Sequence, residues 1–175
     1  MIFDAFADGT FAFHDGTGAR RFRCALGRGG TLPAAEKREG DGASPLGSWP
    51  MRRLLYRADR GGPPATALPC QPIGPHDGWC DAPGDPAYNR PVRLPYPASA
   101  ESLWLEDHVY DLIVVLGHND DPPVSGMGSA IFLHLARPDY APTAGCVALA
   151  RPDLEAVLAR AAPGDVLRIR PAPAG

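Results

Sequence analysis

The chain has 175 residues, of which 45% are hydrophobic, and this suits one globular domain, residues 1–175, with a core of its own. The net charge of −3 provides no basic surface for nucleic acid or anionic lipid. The opening segment MIFDAFADGTFAFHDG has no basic residue, so we expect no signal peptide, and no membrane segment is visible. We therefore expect a cytoplasmic protein, or a periplasmic one if an export signal has been removed.

The first third of the chain predicts three short strands. Asp8-Gly9 separates two apolar runs as in a β-hairpin, and the strand RFRCAL places Phe22, Cys24 and Leu26 on one face. The glycine-rich stretch 27–51 that follows predicts a long irregular loop. The proline- and glycine-rich stretch 56–96 shows no periodicity, and we expect large aromatic side chains to hold it against the body: Trp79, Tyr88 and Trp104.

The last third predicts three buried strands, a helix and a closing strand. YDLIVVLG, AIFLHL and CVALA are short apolar runs, and the second places Phe132 and His134 on one face. Pro152 suits the first turn of a helix with a Leu154, Val157 and Leu158 stripe. VLRIR predicts a closing strand, and residues 171–175 are expected to form a disordered tail. The prediction is a mainly β fold with one or two short helices.

The four cysteines do not have the spacing of a zinc site. We expect Cys24, Cys70, Cys80 and Cys146 to be reduced, although Cys70 and Cys80 could close a small loop. No metal or other cofactor is expected. A site combining Cys146 with His108 or His118 lacks a local cluster of ligands.

His134 and Cys146 are candidates for a catalytic pair. A nucleophilic cysteine must lose its proton, and a histidine on a neighbouring strand can accept it. If the two strands paired as a long hairpin, the end of one would meet the start of the next. Gly145 would let the backbone bend beside the nucleophile. The alternatives are a buried cysteine acting as a small apolar residue and a hydrogen-bonded histidine without a catalytic role.

Several motifs in sequence order resemble the catalytic domain of the L,D-transpeptidase (YkuD-type) family. They are KREGDGASPLGSWPM, YNRPVRLPY, YDLIVVLGHN and IFLH…PTAGCVAL, and the resemblance spans roughly residues 23–170. It implies a β-sandwich, with Cys146 as nucleophile, His134 as general base and Gly145 beside the oxyanion hole. Thr143 matches the Ser/Thr of the motif.

The chain departs from the family pattern near the nucleophile. Ala144 replaces a second histidine, Leu135 a Gly or Ser, and Ala148 stands near a frequent arginine. The group that orients His134 is left open between a backbone carbonyl and Asp139. Four further residues are candidates for substrate binding: Arg137 and Arg151 for a carboxylate, and His118 and Asn119 as lining of the cleft.

The resemblance implies acyl transfer on peptidoglycan or muropeptide stem peptides. Cys146 would form a thioester at the L-centred third residue with release of D-alanine, and an amine would resolve the thioester. The close alternative is an L,D-carboxypeptidase that uses water on recycled muropeptides, as a cytoplasmic location would favour. A non-catalytic peptidoglycan-binding module, favoured by Ala144, and a cysteine peptidase acting on ordinary L-peptides also remain open.

Overall fold

The computed structural model describes residues 1–173, and strands dominate that part of the chain. The helix α1 spans Arg151–Leu158, and a single 3₁₀ turn covers Ala58–Arg60. The strands are β1 (Ile2–Phe6), β2 (Thr10–His14), β3 (Ala19–Ala25), β4 (Thr31–Pro33), β5 (Ser44–Tyr56), β6 (Cys70–Pro72), β7 (Asp77–Cys80), β8 (Pro91–Arg93), β9 (Ala100–Ser102), β10 (Leu112–Leu116), β11 (Phe132–Leu135), β12 (Val147–Leu149) and β13 (Val166–Arg170).

The long strand β5 joins two layers of a β-sandwich. Its first half pairs with β13 from Gly47 to Pro50, and its second half pairs with β10 from Met51 to Tyr56. The first layer continues through β1 and β2 to β3, and the second through β11 and β12 back to β3. Because β3 and β5 belong to both layers, the sheet closes on itself, and the predicted mainly β sandwich is confirmed.

Alternate residues of the second layer contribute side chains to two separate buried clusters. The larger cluster joins both layers and the helix, and it includes Phe3, Phe11, Leu54, Val114, Leu133, Val147 and Leu154. The smaller cluster lies on the opposite face and includes Leu55, Ile113, Val115, Phe132, Cys146, Trp79 and Tyr110. This alternation follows from the two-residue period of a strand. The site described below lies at the smaller cluster.

The prediction of an irregular loop over residues 27–51 is wrong. This stretch contains β4 and the first part of β5, and β4 pairs with β5 in parallel. Between them, Lys37 is only 2% exposed, and its Nζ donates to Asp41 Oδ1 at 2.6 Å. Gly40 and Gly42 have φ of +78° and +69°, which favours glycine. The EGDG segment is therefore a rigid turn.

The other predicted elements are confirmed within residues 1–173. β1 and β2 form the hairpin at Asp8-Gly9, and α1 buries Leu154, Val157 and Leu158. The middle of the chain adds β6 and a small sheet in the order β8-β7-β9, held by the buried Trp79 and Tyr88. No helix in the described chain is long and apolar enough to cross a membrane. Of the tail predicted over 171–175, residues 171–173 have no helix or strand, and 174 and 175 lie outside the described residues.

Candidate active site

A cavity of about 540 Å³ brings together the predicted nucleophile and base. Cys146, His134, Thr143 and Arg137 all line it. The rest of the wall comes from the EGDG turn, from β9 and from the segments that precede β10 and β11. A cavity of this volume is large enough for a small ligand or part of a peptide.

The strands that carry His134 and Cys146 pair in parallel, so the hairpin considered from the sequence does not form. Leu133 faces Val147 and His134 faces Ala148 in the register of β11 and β12. Cys146 therefore lies beside Phe132, on the same face as His134 and two residues short of it. From the rise of about 3.3 Å per residue and the strand spacing of about 4.8 Å, their Cα atoms are about 8 Å apart.

Cys146 rests as a neutral thiol bound to the backbone. Its Sγ donates to Ala130 O at 3.2 Å and accepts from Phe132 N at 3.3 Å. Burial, followed by the charge of Glu101, raises the pKa of the Cys146 thiol to about 12, against smaller opposing effects of the Phe132 N–H and Lys37. In this structure the pair is therefore a thiol and a neutral imidazole, without charge separation.

His134 is held in the form that a general base requires. Its Nδ1 lies 2.9 Å from Leu135 O, an acceptor, so Nδ1 carries the proton and Nε2 is free to accept one. Burial lowers the pKa of His134 to about 4, although the bond to Leu135 acts in the opposite direction. The ring also packs edge-on against Tyr110, with centroids 5.2 Å apart. The imidazole is thus neutral and fixed in orientation.

Three hydrogen bonds fix the backbone that leads into Cys146. Ser44 Oγ donates to Gly145 O at 2.8 Å, Gly145 N donates to Thr143 Oγ1 at 3.1 Å, and Thr143 Oγ1 donates to Cys146 O at 2.7 Å. Gly145 has φ of +137°, and a Cβ there would lie 2.9 Å from Ala43 O. Only glycine suits this position, because both the backbone conformation and the space exclude a side chain.

Acidic side chains line part of the cavity wall. The Tyr110 hydroxyl donates to Glu101 Oε1 at 2.5 Å, and the Tyr88 hydroxyl donates to Glu39 Oε2 at 2.5 Å. Burial raises the pKa of Glu101; the Tyr110 bond lowers it, and the charges of Asp81 and Glu39 raise it. Negative charge beside a thiol disfavours the thiolate, so this wall helps to keep Cys146 protonated.

The sequence model of the YkuD family, the L,D-transpeptidase catalytic domain, matches residues 7–169. The chain belongs to the L,D-transpeptidase catalytic domain family. No curated protein matches it. Similar solved structures include an L,D-transpeptidase from Mycobacterium smegmatis, at 14% identity and a TM-score of 0.46, with 96% of this chain and 57% of that chain covered.

Two solved structures from Mycobacterium tuberculosis are also similar. L,D-transpeptidase 1 is 16% identical, with a TM-score of 0.42, and 97% of this chain and 60% of that chain are covered. L,D-transpeptidase 3, in complex with a faropenem-derived adduct, is 15% identical, with a TM-score of 0.44 and coverage of 97% and 59%. The chain thus spans about three fifths of the length of these structures.

Three residues predicted to bind substrate lie outside the cavity of this L,D-transpeptidase domain. Arg151 Nη2 is paired with Asp111 Oδ2 at 2.9 Å, so a carboxylate just before β10 and not the cleft holds it. His118 is buried against Trp49, with ring centroids 4.7 Å apart. The Asn119 amide binds the carbonyls of Val124 and Gly128, which fixes a loop. Contacts with neighbouring elements hold these side chains away from the cavity, and sequence position alone does not reveal those contacts.

Two other predictions about the L,D-transpeptidase site have a mixed outcome. Arg137 lines the cavity, but its guanidinium is paired with Asp107 Oδ2 at 2.8 Å. Of the two groups considered for orienting His134, the backbone carbonyl is correct. Asp139 instead accepts from Ala141 N at 3.0 Å and closes its own turn. All four cysteines are free thiols, so Cys70 and Cys80 are not paired.

Sequence reasoning missed the residues that surround the pair: Tyr110, Glu101 and Ser44. Tyr110 was part of the YDLIVVLG run and Glu101 stood in an unassigned stretch, and both reach His134 or Cys146 only through long-range folding. Ser44 follows the EGDG turn, and its hydrogen bond to Gly145 spans 101 positions of the chain. The available signal was Gly145, which was predicted to let the backbone bend beside the nucleophile.

Proposed function

We propose that this domain is a cysteine acyltransferase that acts on peptidoglycan stem peptides, with Cys146 as nucleophile and His134 as general base. One observation carries the proposal. A neutral imidazole with a free Nε2 and a cysteine share one face of a sheet and one cavity. The family model supports the substrate class, because its description names the L,D-transpeptidase catalytic domain.

The first half of the proposed reaction forms a thioester. The thiol proton moves to His134 Nε2 as Sγ attacks the carbonyl carbon of the L-centred third residue. The bond from that carbon to the nitrogen of D-alanine then breaks, and His134 returns the proton to the leaving amine. D-alanine is released and the peptide remains as an acyl group on Cys146.

The second half resolves the thioester with an acceptor. An amine that loses a proton to His134 gives a new amide, which is transpeptidation, and water gives a free carboxylate, which is carboxypeptidation. In both cases the proton on His134 returns to Cys146 and restores the thiol. The residues in the cavity serve either acceptor, so the identity of the acceptor is a matter for experiment.

The resting geometry requires a movement before the first step. The Sγ of Cys146 is engaged by Ala130 O and Phe132 N, and His134 lies two residues further along the sheet. We propose that substrate binding turns the thiol from the backbone towards Nε2 of His134. Apo geometry of this looser kind is common in sites that tighten when substrate is bound.

The test is mass spectrometry of a purified disaccharide-tetrapeptide incubated with the protein, with and without an excess of a D-amino acid. Wild type should release D-alanine, and Cys146→Ala should not, whereas Cys70→Ala, which removes an exposed thiol, should behave as wild type. Exchange of the terminal residue or a cross-linked dimer identifies an amine acceptor. Loss of alanine by hydrolysis alone identifies water.

A binding module without catalysis makes a different prediction. It would retain the tetrapeptide unchanged in both proteins while still binding it. If wild type also fails to form a thioester with the tetrapeptide, and cleaves casein-like L-peptides instead, the substrate class proposed here is wrong. An adduct of the expected mass on Cys146 alone, trapped by acid quenching, would support the thioester directly.

A further inference from the structure

A second cavity lies outside the active site and contains an arginine with no charge partner. Its volume is about 350 Å³, and it shares no lining residue with the cavity of Cys146. Arg53, on the second half of β5, lines this cavity together with Trp79. We call this cavity the Arg53 pocket. It lies between β5 and the small sheet formed by β7, β8 and β9.

Arg53 is half-buried, and one nitrogen of its guanidinium lacks a hydrogen-bond partner. Its Nε is shielded from solvent and has no hydrogen-bond partner, and its Cζ lies 5.9 Å from the centroid of the Trp79 ring. Within residues 1–173 no carboxylate oxygen lies within 4.0 Å of Arg53. A buried polar atom left without a partner is rare in folded proteins and calls for an explanation.

Two carboxylates near the Arg53 pocket already have partners. Asp120 forms an ion pair with Arg52, whose Nε lies 2.8 Å from Oδ2. Asp77 forms one with Arg93, whose Nη1 lies 3.0 Å from Oδ1. Asp77 is also fixed by Gly74 N, which donates to its other oxygen at 2.7 Å. Arg53 therefore has no ion-pair partner among residues 1–173. Burial lowers the pKa of its guanidinium.

Apolar side chains form much of the rest of the Arg53 pocket, and Gln71 and the Asp77–Arg93 ion pair also line it. Leu55, Ile73, Val92 and Leu103 line it beside the Trp79 ring. An apolar cavity of a few hundred Å³ with one or two fixed polar groups is the usual form of a small-molecule site. A guanidinium fork pairs with a carboxylate through two parallel hydrogen bonds, and an apolar wall favours a ligand with an apolar body.

We propose that the Arg53 pocket binds a carboxylate attached to an apolar group, with Arg53 as the carboxylate partner and Trp79 as the apolar wall. The carboxylate can belong to the C-terminus of a peptide or to a free organic acid. The pocket is a binding site separate from the nucleophile, so the inference is independent of the function proposed above. Phe132 contacts both places: its ring lies 5.1 Å from that of Trp79, and its N–H donates to Cys146 Sγ.

The test uses the indole N–H of Trp79, which donates to Asn89 Oδ1 at 2.9 Å, as a local probe in ¹H–¹⁵N NMR spectra. The probes are benzoate, N-acetyl-alanine, the neutral N-acetyl-alaninamide and inorganic phosphate, all at matched ionic strength. One or both carboxylates should shift this resonance saturably. The amide and phosphate should not, and the carboxylate that binds more tightly identifies the source.

Arg53→Gln should weaken carboxylate binding at least tenfold, because it removes the charge and the fork. Arg52→Gln is the matched control, since Arg52 is adjacent, paired with Asp120 and absent from the pocket, and it should bind as wild type. An unchanged spectrum of the remaining amides shows that Arg53→Gln is folded. Equal binding by Arg53→Gln, equal binding of the amide or phosphate, or no shift with either carboxylate would each overturn the proposal.

Discussion

The two faces of β11 and β12 carry opposite kinds of residue. Leu133, Leu135 and Val147 point into the larger cluster, whose members are hydrophobic residues. Phe132, His134 and Cys146 lie on the other face, with polar and ionisable neighbours. One face of these two short strands therefore stabilises the fold, and the other face carries the proposed catalytic residues. The contrast teaches that changes one position apart should have effects of different kinds.

The largest effect on stability should come from the apolar face. Leu133 has no exposed surface, and Leu133→Ala should lower the free energy of unfolding by about 2–5 kcal/mol through lost burial and a cavity. Cys146→Ala, on the opposite face, should lower it by only about 1 kcal/mol. Urea titration measures both. Alkylation of Cys146 in folded Leu133→Ala should keep its wild-type rate, and a large change would show that the two faces are coupled.

The backbone before the nucleophile gives the largest expected effect on activity. Gly145→Ala places a Cβ 2.9 Å from Ala43 O and should displace Cys146, lowering turnover about 100-fold. Gly61 is the matched control, because its φ is +141° and a Cβ there has no neighbour within 4 Å. Gly61→Ala should lose some stability through its φ alone and keep its activity. If both variants lost turnover equally, the loss at Gly145 would come from its backbone conformation and not from the contact with Ala43.

The histidine on the chemical face should make stability depend on pH. Burial holds the pKa of folded His134 at about 4, below its unfolded value, so the unfolded chain binds the proton first as the pH falls. The stability that neutral His134 contributes is fully present above about pH 6.5 and decreases as the pH falls to about 4. At pH 5 the free energy of unfolding should be lower by about 2 kcal/mol for this reason.

His134→Gln should remove that part of the acid sensitivity. The difference in unfolding free energy between pH 7.5 and pH 5 should become smaller by about 2 kcal/mol in the variant. His118, whose pKa burial also lowers to about 4, contributes with the same sign and stays in both proteins. His76→Gln, at an exposed position, is the control and should change nothing. An unaltered pH dependence in His134→Gln would mean that its imidazole is not held neutral by the fold.

The smallest effect should come from the acidic wall. Glu101→Gln removes a negative charge near Cys146, so the pKa of the thiol should fall and alkylation near neutral pH should become faster. Glu106→Gln, at an exposed position outside the cavity, is the control. The pH profile of iodoacetamide labelling measures both, and slower labelling in Glu101→Gln would reverse the assigned role of this carboxylate.

How far the sequence predicts the fold depends on periodicity. The apolar runs at β10, β11 and β12 and the stripe on α1 were predictable, because burial imposes a period of two or 3.6 on them. β5 was not, since Pro45, Gly47 and Pro50 interrupt its pattern. Proline and glycine suit a strand that bends from one layer to the other. That bend is needed only because the sheet closes on itself, which the local sequence does not show.

The candidate site divides in the same way. Cys146, His134 and Gly145 were predictable from the motif and from the chemistry of thiols. The parallel pairing of their strands was not, because a loop of 11 residues, 136–146, permits either direction. Arg151 and Asn119 were wrongly expected in the cleft, since the sequence does not reveal that Asp111 and two backbone carbonyls would bind them.

The position of Ser44 at the first residue of β5 has a consequence for folding. β5 pairs with β4, β13, β10 and β6, and these contacts join parts of the chain that are far apart in sequence. Such a topology forms slowly, because loop closure precedes the gain from contacts. The hydroxyl that fixes Gly145 is in place only after this strand has docked. A partly folded chain should therefore contain the cysteine without the fixed backbone that catalysis requires, and hydrogen exchange at β5 should mark the step at which the site is assembled.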